Sequence, residues 1–195
     1  ADNLTRLYRC QGRLAQTVTD SSFDAWTKLY KQSDQSHLST VSYYNKGSVI
    51  ALGLDLLLRA ESEGKTTLQD VMLALWKRYG SGQVGVGETD IEELIAEMAG
   101  PRVIEYLQDA LYSTDELPLD DIFSFVGIRL QQTNVNSPTD LGHVAYDNHG
   151  ELEGKVTVCD LGAHLETAAG GLKVIKILAG GSAQNAGLSV GDHLV

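Results

Sequence analysis

Tyr43, Tyr44 and Lys46 are close neighbours in sequence, and Gly47 follows them. Two phenols and an ammonium are proton donors at neutral pH, because a phenol keeps its proton until about pH 10. Donors of this kind can stabilise an oxyanion when they are fixed in a site that water does not reach. The residues that follow are suited to fixing them. Val49 to Leu58 is apolar except for Gly53 and Asp55, a pattern that predicts a helix over about residues 42–62, buried on most sides. Asp55 inside that run needs a partner, and a structural hydrogen bond or salt bridge is expected. The residues alone leave other roles open. Tyr43 and Tyr44 also read as half-buried aromatics anchoring the helix. Lys46 reads as a solvated lysine near a helix start, and Gly47 as a packing glycine beside another backbone.

No metal-ligand set accompanies the donors. The five histidines, at 37, 143, 149, 164 and 193, never form His-x-x-x-His. His143 and His149 lie in a polar, acidic stretch suited only to nonspecific metal binding. Cys10 and Cys159 stand far apart, without the paired spacing of a zinc knuckle or enough thiols for a disulfide framework. They read as buried or free thiols and favour a reducing, cytoplasmic setting. Gly80 to Gly87 is glycine-rich but lacks the Gly-Lys-Ser/Thr ending of a phosphate loop, and reads as a connector.

The elements that must position these residues are mostly helical up to about residue 127. Leu4, Leu7, Tyr8, Leu14, Ala15 and Val18 fall on one face of a first helix over 3–18. Ser21 with Asp24 reads as a capping box opening a helix that carries Phe23, Trp26 and Tyr30, and residues 31–40 read as a loop. Thr67 with Asp70 caps a helix whose core face is Leu68, Val71, Met72, Leu75, Trp76 and Tyr79, ended by Gly80. Thr89 with Glu92 caps another, with Ile91, Leu94, Ile95 and Met98 inward. Pro101 suits the first turn of the next, and Pro118 precedes a short piece from Asp120 to Phe125. The pattern then changes. Residues 128–133 alternate as strands do, and Val156–Val158, Ala163–Leu165 and Leu172–Leu178 read as further strands. Ser182 to Ala186 reads as a short helix closed by Gly187. The fold class expected is α+β, with a helical region at 1–127 and a β-rich region at 128–195.

Composition narrows the function classes. Of 195 residues, 43% are hydrophobic, enough for a packed core. Fifteen basic against 26 acidic residues leave a net charge of −11, which repels phosphate backbones and argues against nucleic acid as a partner. No apolar stretch approaches the roughly 18 residues of a membrane span.

Four stretches together carry a family resemblance: SSFDAW at 21–26, VSYYNKG at 41–47, LALWKRYG at 73–80 and SAQNAGLSVGD at 182–192. In that order they resemble the glycyl aminopeptidase-like zinc metallopeptidases of the gluzincin type that carry a C-terminal PDZ domain. The resemblance implies the helical C-terminal part of a gluzincin-like catalytic domain at 1–127 and a partial PDZ-like module at 128–195. It maps Tyr44 onto the family's oxyanion-stabilising tyrosine, with Tyr43 as the alternative donor. It maps Leu161, Gly162 and Ala163 onto a carboxylate-binding loop, and the strand from His164 onto one that pairs with a peptide. The family's His-Glu-x-x-His is absent from these residues. The chain is therefore expected to be an inactive fragment that holds no metal, of an enzyme that uses zinc to release N-terminal, small or glycyl residues from peptides. Its expected partners are a peptide substrate, a peptide C-terminus at the PDZ-like module, and further copies of itself through surface left bare. The alternative is a non-enzymatic helical scaffold presenting a PDZ-like module.

Overall fold

The apolar run folds as expected, into a long helix around which one half of the structure is built. In the computed structural model residues 1–33, 36–80, 82, 85–133, 140–142, 144 and 160–195 are described. Their helices are α1 (Asp2–Arg9), α2 (Val18–Phe23), α3 (Ser36–Ser39), α4 (Tyr43–Glu61), α5 (Leu68–Leu75), α6 (Asp90–Met98), α7 (Pro101–Tyr112), α8 (Leu119–Ser124) and α9 (Ser182–Asn185). Their strands are β1 (Ala163–Ala168), β2 (Gly171–Ile177) and β3 (His193–Leu194). Helices and a small antiparallel sheet, kept apart along the chain, make the class α+β. The chain forms two units, one of Thr17–Thr19 and Tyr43–Gln131, the other of Ala1–Gln16, Asp20–Ser42 and Gln132–Val195. Cys159, His143, His149 and the strand expected at Val156–Val158 lie outside the described residues.

The first unit is a helical core. Ile50, Leu54, Leu57 and Leu58 of α4 pack with Val71, Leu94, Ile95, Val103, Leu107, Ala110 and Ile122, with Val18 among them. The buried positions of α4 recur at the spacing of one broad helical face. Opposite it, Tyr44, Ser48 and Leu52 form an exposed stripe four residues apart.

Two glycines interrupt α4, and each costs helix stability of about 1 kcal/mol relative to alanine. Gly53 has a reason to be there. A Cβ at this position would stand 2.2 Å from the Tyr106 hydroxyl oxygen. Tyr106 enters the space the glycine leaves and donates to the Ile50 carbonyl at 3.1 Å. Burial pushes its phenol pKa well above the ordinary value. Gly47 differs from expectation, because a Cβ there would meet open space.

Asp55 has the partners its position demands. It accepts from Arg59 Nε at 2.8 Å and from the Leu68 backbone N–H at 2.8 Å. The arginine hydrogen bond, aided by the Leu68 N–H, holds its carboxyl below the usual carboxylate range against a smaller effect of burial. Asp55 thereby ties α4 to the start of α5, where Thr67 and Asp70 form the expected capping box.

Several local expectations are corrected. The first helix stops at Arg9, and a 3-10 turn covers Gln11–Leu14. Gly12 lies so close to the Thr40 backbone that a Cβ would come within 2.2 Å of its carbonyl oxygen, so the chain turns there instead of continuing. Ser21 caps nothing, since α2 has already begun at Val18 and the buried Ser21 hydroxyl donates to the Val41 carbonyl. Residues 36–39, expected in a loop, form a short helix. Met72 and Trp76 do not join the core, because α5 runs into a π-turn at Trp76–Gly80 that shifts the face by part of a turn. Thr89 donates its hydroxyl to Glu93 and caps no N–H. Residues 128–133 form no strand, and no ladder partner faces them among the described residues.

In the second unit β1, β2 and β3 form an antiparallel sheet in that order, with an irregularity in β1 between His164 and Leu165. Val174, Ile177 and Ala183 make its buried centre, joined by Ala163, Leu165, Leu188 and Val190. The N-terminal segment holds this region at two points. Gln11 exchanges both hydrogen bonds with the Ala179 backbone at 3.0 and 3.3 Å, and His37 Nε2 lies 2.9 Å from the Ile177 carbonyl oxygen.

Gly53→Ala is the sharpest test of how α4 is packed. The methyl must displace Tyr106 and break its bond to Ile50, at a cost of about 2–3 kcal/mol despite alanine's better helix propensity. Chemical denaturation of the variant measures it, and unchanged stability would show that Tyr106 yields freely.

Candidate active site and peptide-binding edge

The two tyrosines at the mouth of α4 take different places. Tyr43 is half-buried and packs against the helical core. Tyr44 is 61% exposed, at the head of the stripe it shares with Ser48 and Leu52. Their rings lie 4.1 Å apart, tilted by 30°. A helix places consecutive residues about 100° apart, so only one of two adjacent phenols can face inward. The apolar stripe at 46, 49, 50, 53 and 54 selects Tyr43 for that role. Ser48, one turn on from Tyr44, turns its hydroxyl back to the Asn45 carbonyl at 2.8 Å.

Lys46 corrects the expectation of a solvated side chain, being only 2% exposed. The helical spacing places it one turn before Ile50, on the inward face of α4, where its methylenes cover apolar surface. A buried ammonium of this kind marks the helix mouth as more than a solvated surface, a feature the sequence pattern did not reveal.

At the other candidate, Leu161 is exposed, Gly162 buried, Ala163 half-buried and His164 exposed. The loop is pinned by its backbone. The Leu161 carbonyl accepts from Ala183 N–H at 2.8 Å and the Gly162 carbonyl from Leu178 N–H at 2.9 Å. Gly162 has φ +73°, and a Cβ there would come within 3.0 Å of Gly181 Cα, so only glycine fits. Its N–H donates to Asp160 Oδ1 at 2.9 Å. The next residues open β1, the edge strand of the sheet among the described residues.

Among the described residues no group of three or more His, Cys, Asp or Glu side chains could hold a metal ion. With no His-x-x-x-His in the sequence, the residues present do not fit a catalytic zinc. Among the described residues no helix is long and apolar enough to cross a membrane.

Residues 1–50 match the family described as M61 glycyl aminopeptidase, a match that takes in Tyr43 to Gly47 and the start of α4. A crystal structure of an aminopeptidase N family protein from Idiomarina loihiensis is similar over 98% of the chain, with 36% identity and a TM-score of 0.82. The chain is glycyl aminopeptidase-like. It spans 32% of the length of that solved protein. No curated protein matches it.

For this glycyl aminopeptidase-like chain the two tyrosines should separate by stability. Tyr43→Ala removes a ring packed on the core and is expected to cost about 2–3 kcal/mol. Tyr44→Ala should stay within about 1 kcal/mol. Thermal unfolding of both variants checks this, and equal losses would mean that Tyr44 is as structural as its neighbour.

Proposed function

We propose that this chain forms part of a zinc aminopeptidase of the gluzincin type, which releases N-terminal residues, glycine or other small ones, from peptides. In this reading residues 1–127 belong to its catalytic domain and residues 128–195 to a PDZ-like module that binds an extended peptide. Zinc, its ligands and the general base come from elsewhere in the whole protein, and the metal supplies an activated water there. This chain supplies the proton donor. Tyr44 lies outward at the start of a helix fixed in the core, and its phenol donates a hydrogen bond to the oxygen that becomes negative as the peptide carbonyl is attacked. The donor is aimed in advance, so little reorganisation is needed when charge develops.

The observation that supports this reading is the placement of Tyr44 within the stretch that matches the glycyl aminopeptidase family. Its neighbour Tyr43 is packed into the core, and Lys46 is buried at the same helix mouth.

In the whole enzyme Tyr44→Phe keeps the ring and removes the donor. Turnover should fall on the order of 100- to 1,000-fold, with substrate affinity little changed, because the bond is made mainly in the transition state. Tyr43→Phe should be mild. Steady-state kinetics with an aminoacyl-amide substrate decide between them. Near-normal turnover in Tyr44→Phe with loss in Tyr43→Phe moves the role to Tyr43, and activity in both removes it from this helix.

Residues 1–195 prepared alone should hold no stoichiometric zinc and show no turnover. One tightly held zinc per chain together with aminopeptidase activity would falsify the division of labour.

A further inference from the structure

The inference concerns the edge strand β1 and the loop before it, and it rests on reading this sheet as a PDZ-like peptide-binding module. A loop that receives a terminal carboxylate must offer N–H groups that are unused and surroundings that are not negative. The loop at 160–163 fails on both counts. The Gly162 N–H is already donated, at 2.9 Å, to the Asp160 carboxylate. That carboxylate stands where an incoming one would arrive, and like charges at such close range repel. The loop has little freedom to rearrange, because the carbonyls of Leu161 and Gly162 are both bound by backbone N–H groups and Gly162 is wedged against Gly181. The strand that follows adds Glu166 and no Lys or Arg, while the lysines of the sheet, Lys173 and Lys176, lie on β2. The chain as a whole carries a net charge of −11.

We propose that this edge pairs with an extended peptide segment that has no free terminal carboxylate, and that Asp160 sets this preference. The partner is an internal stretch of a polypeptide, recognised through its backbone as an added strand. Asp160 acts by charge and not by shape. Asparagine in its place keeps an oxygen acceptor for the Gly162 N–H and removes the negative charge.

The test uses the 195-residue chain and a fluorescent pool of randomised peptides, about ten residues long, prepared in two forms that differ only at the C-terminus, free acid and carboxamide. Retention of each pool on the immobilised chain is measured for the natural protein, for Asp160→Asn and for Asp160→Ala. The carboxamide pool should be retained on the order of ten-fold better by the natural protein, and Asp160→Asn should bring the two pools within about two-fold of each other. Asp160→Ala should also lose the discrimination, with a less stable loop visible as faster amide exchange at Gly162. Better retention of the free acid by the natural protein would overturn the inference and leave the peptide-binding reading standing. An undiminished preference for carboxamide in Asp160→Asn would overturn the role of Asp160. Retention of neither pool by any of the three proteins would overturn the inference together with the reading beneath it.

Discussion

The helical unit depends on one close approach, Tyr106 of α7 against Gly53 of α4. The ring occupies the space a side chain at residue 53 would need, and its hydroxyl binds the Ile50 carbonyl inside the helix. That single arrangement fixes the rotation of α4 about its own axis. With the rotation fixed, Val49, Ile50, Leu54, Leu57 and Leu58 must face the core, and the Tyr44–Ser48–Leu52 stripe must face outward. The placement of the candidate catalytic phenol is thus a consequence of a packing contact about two and a half helical turns away. Asp55 adds a second constraint by holding the first N–H of α5, so the neighbouring helix cannot slide along α4 without losing a charged hydrogen bond.

The same logic of glycine and close approach recurs in the sheet-bearing unit. Gly12 lets the chain pass the Thr40 backbone, and Gly162 lets the loop before β1 pass Gly181. Around these points the contacts are mainly polar, through Gln11, His37 and backbone groups. The buried centre of the sheet is small, with Val174, Ile177 and Ala183 at its heart. An apolar core of that size supplies limited stabilisation, which gives the hydrogen bonds from the N-terminal segment more weight.

How much of this was legible depended on whether local chemistry or distant packing decided the matter. The buried helix was readable from Val49 to Leu58, the start of α5 from Thr67 and Asp70, and the start of α7 from Pro101, because each signal is completed within a turn or two. The partner demanded by Asp55 was readable in kind, although Leu68 as one of them was not. The failures share one cause. Gly12, Ser21 and Gly47 were assigned from their immediate neighbours, whereas Thr40 and Val41, distant in sequence, decide the first two, and open space decides the third. Met72 and Trp76 fell on the expected apolar face only for a regular helix, and a π-turn at Trp76–Gly80 breaks that regularity. At the candidate site the sequence left Tyr43 and Tyr44 equivalent. Their separation needed the rotation of α4, and the burial of Lys46 needed it as well.

The proposal that Tyr44 supplies the oxyanion donor is most directly tested by a crystal structure of the whole enzyme with a tetrahedral phosphinic peptide analogue bound. Its phosphinyl oxygens stand where the carbonyl oxygen of the transition state would be. The account predicts the Tyr44 hydroxyl about 2.7–3.1 Å from one of those oxygens, with Tyr43 still packed in the core. A structure in which Tyr43 makes that contact, or in which no phenol from the start of α4 comes within hydrogen-bonding distance, would contradict it.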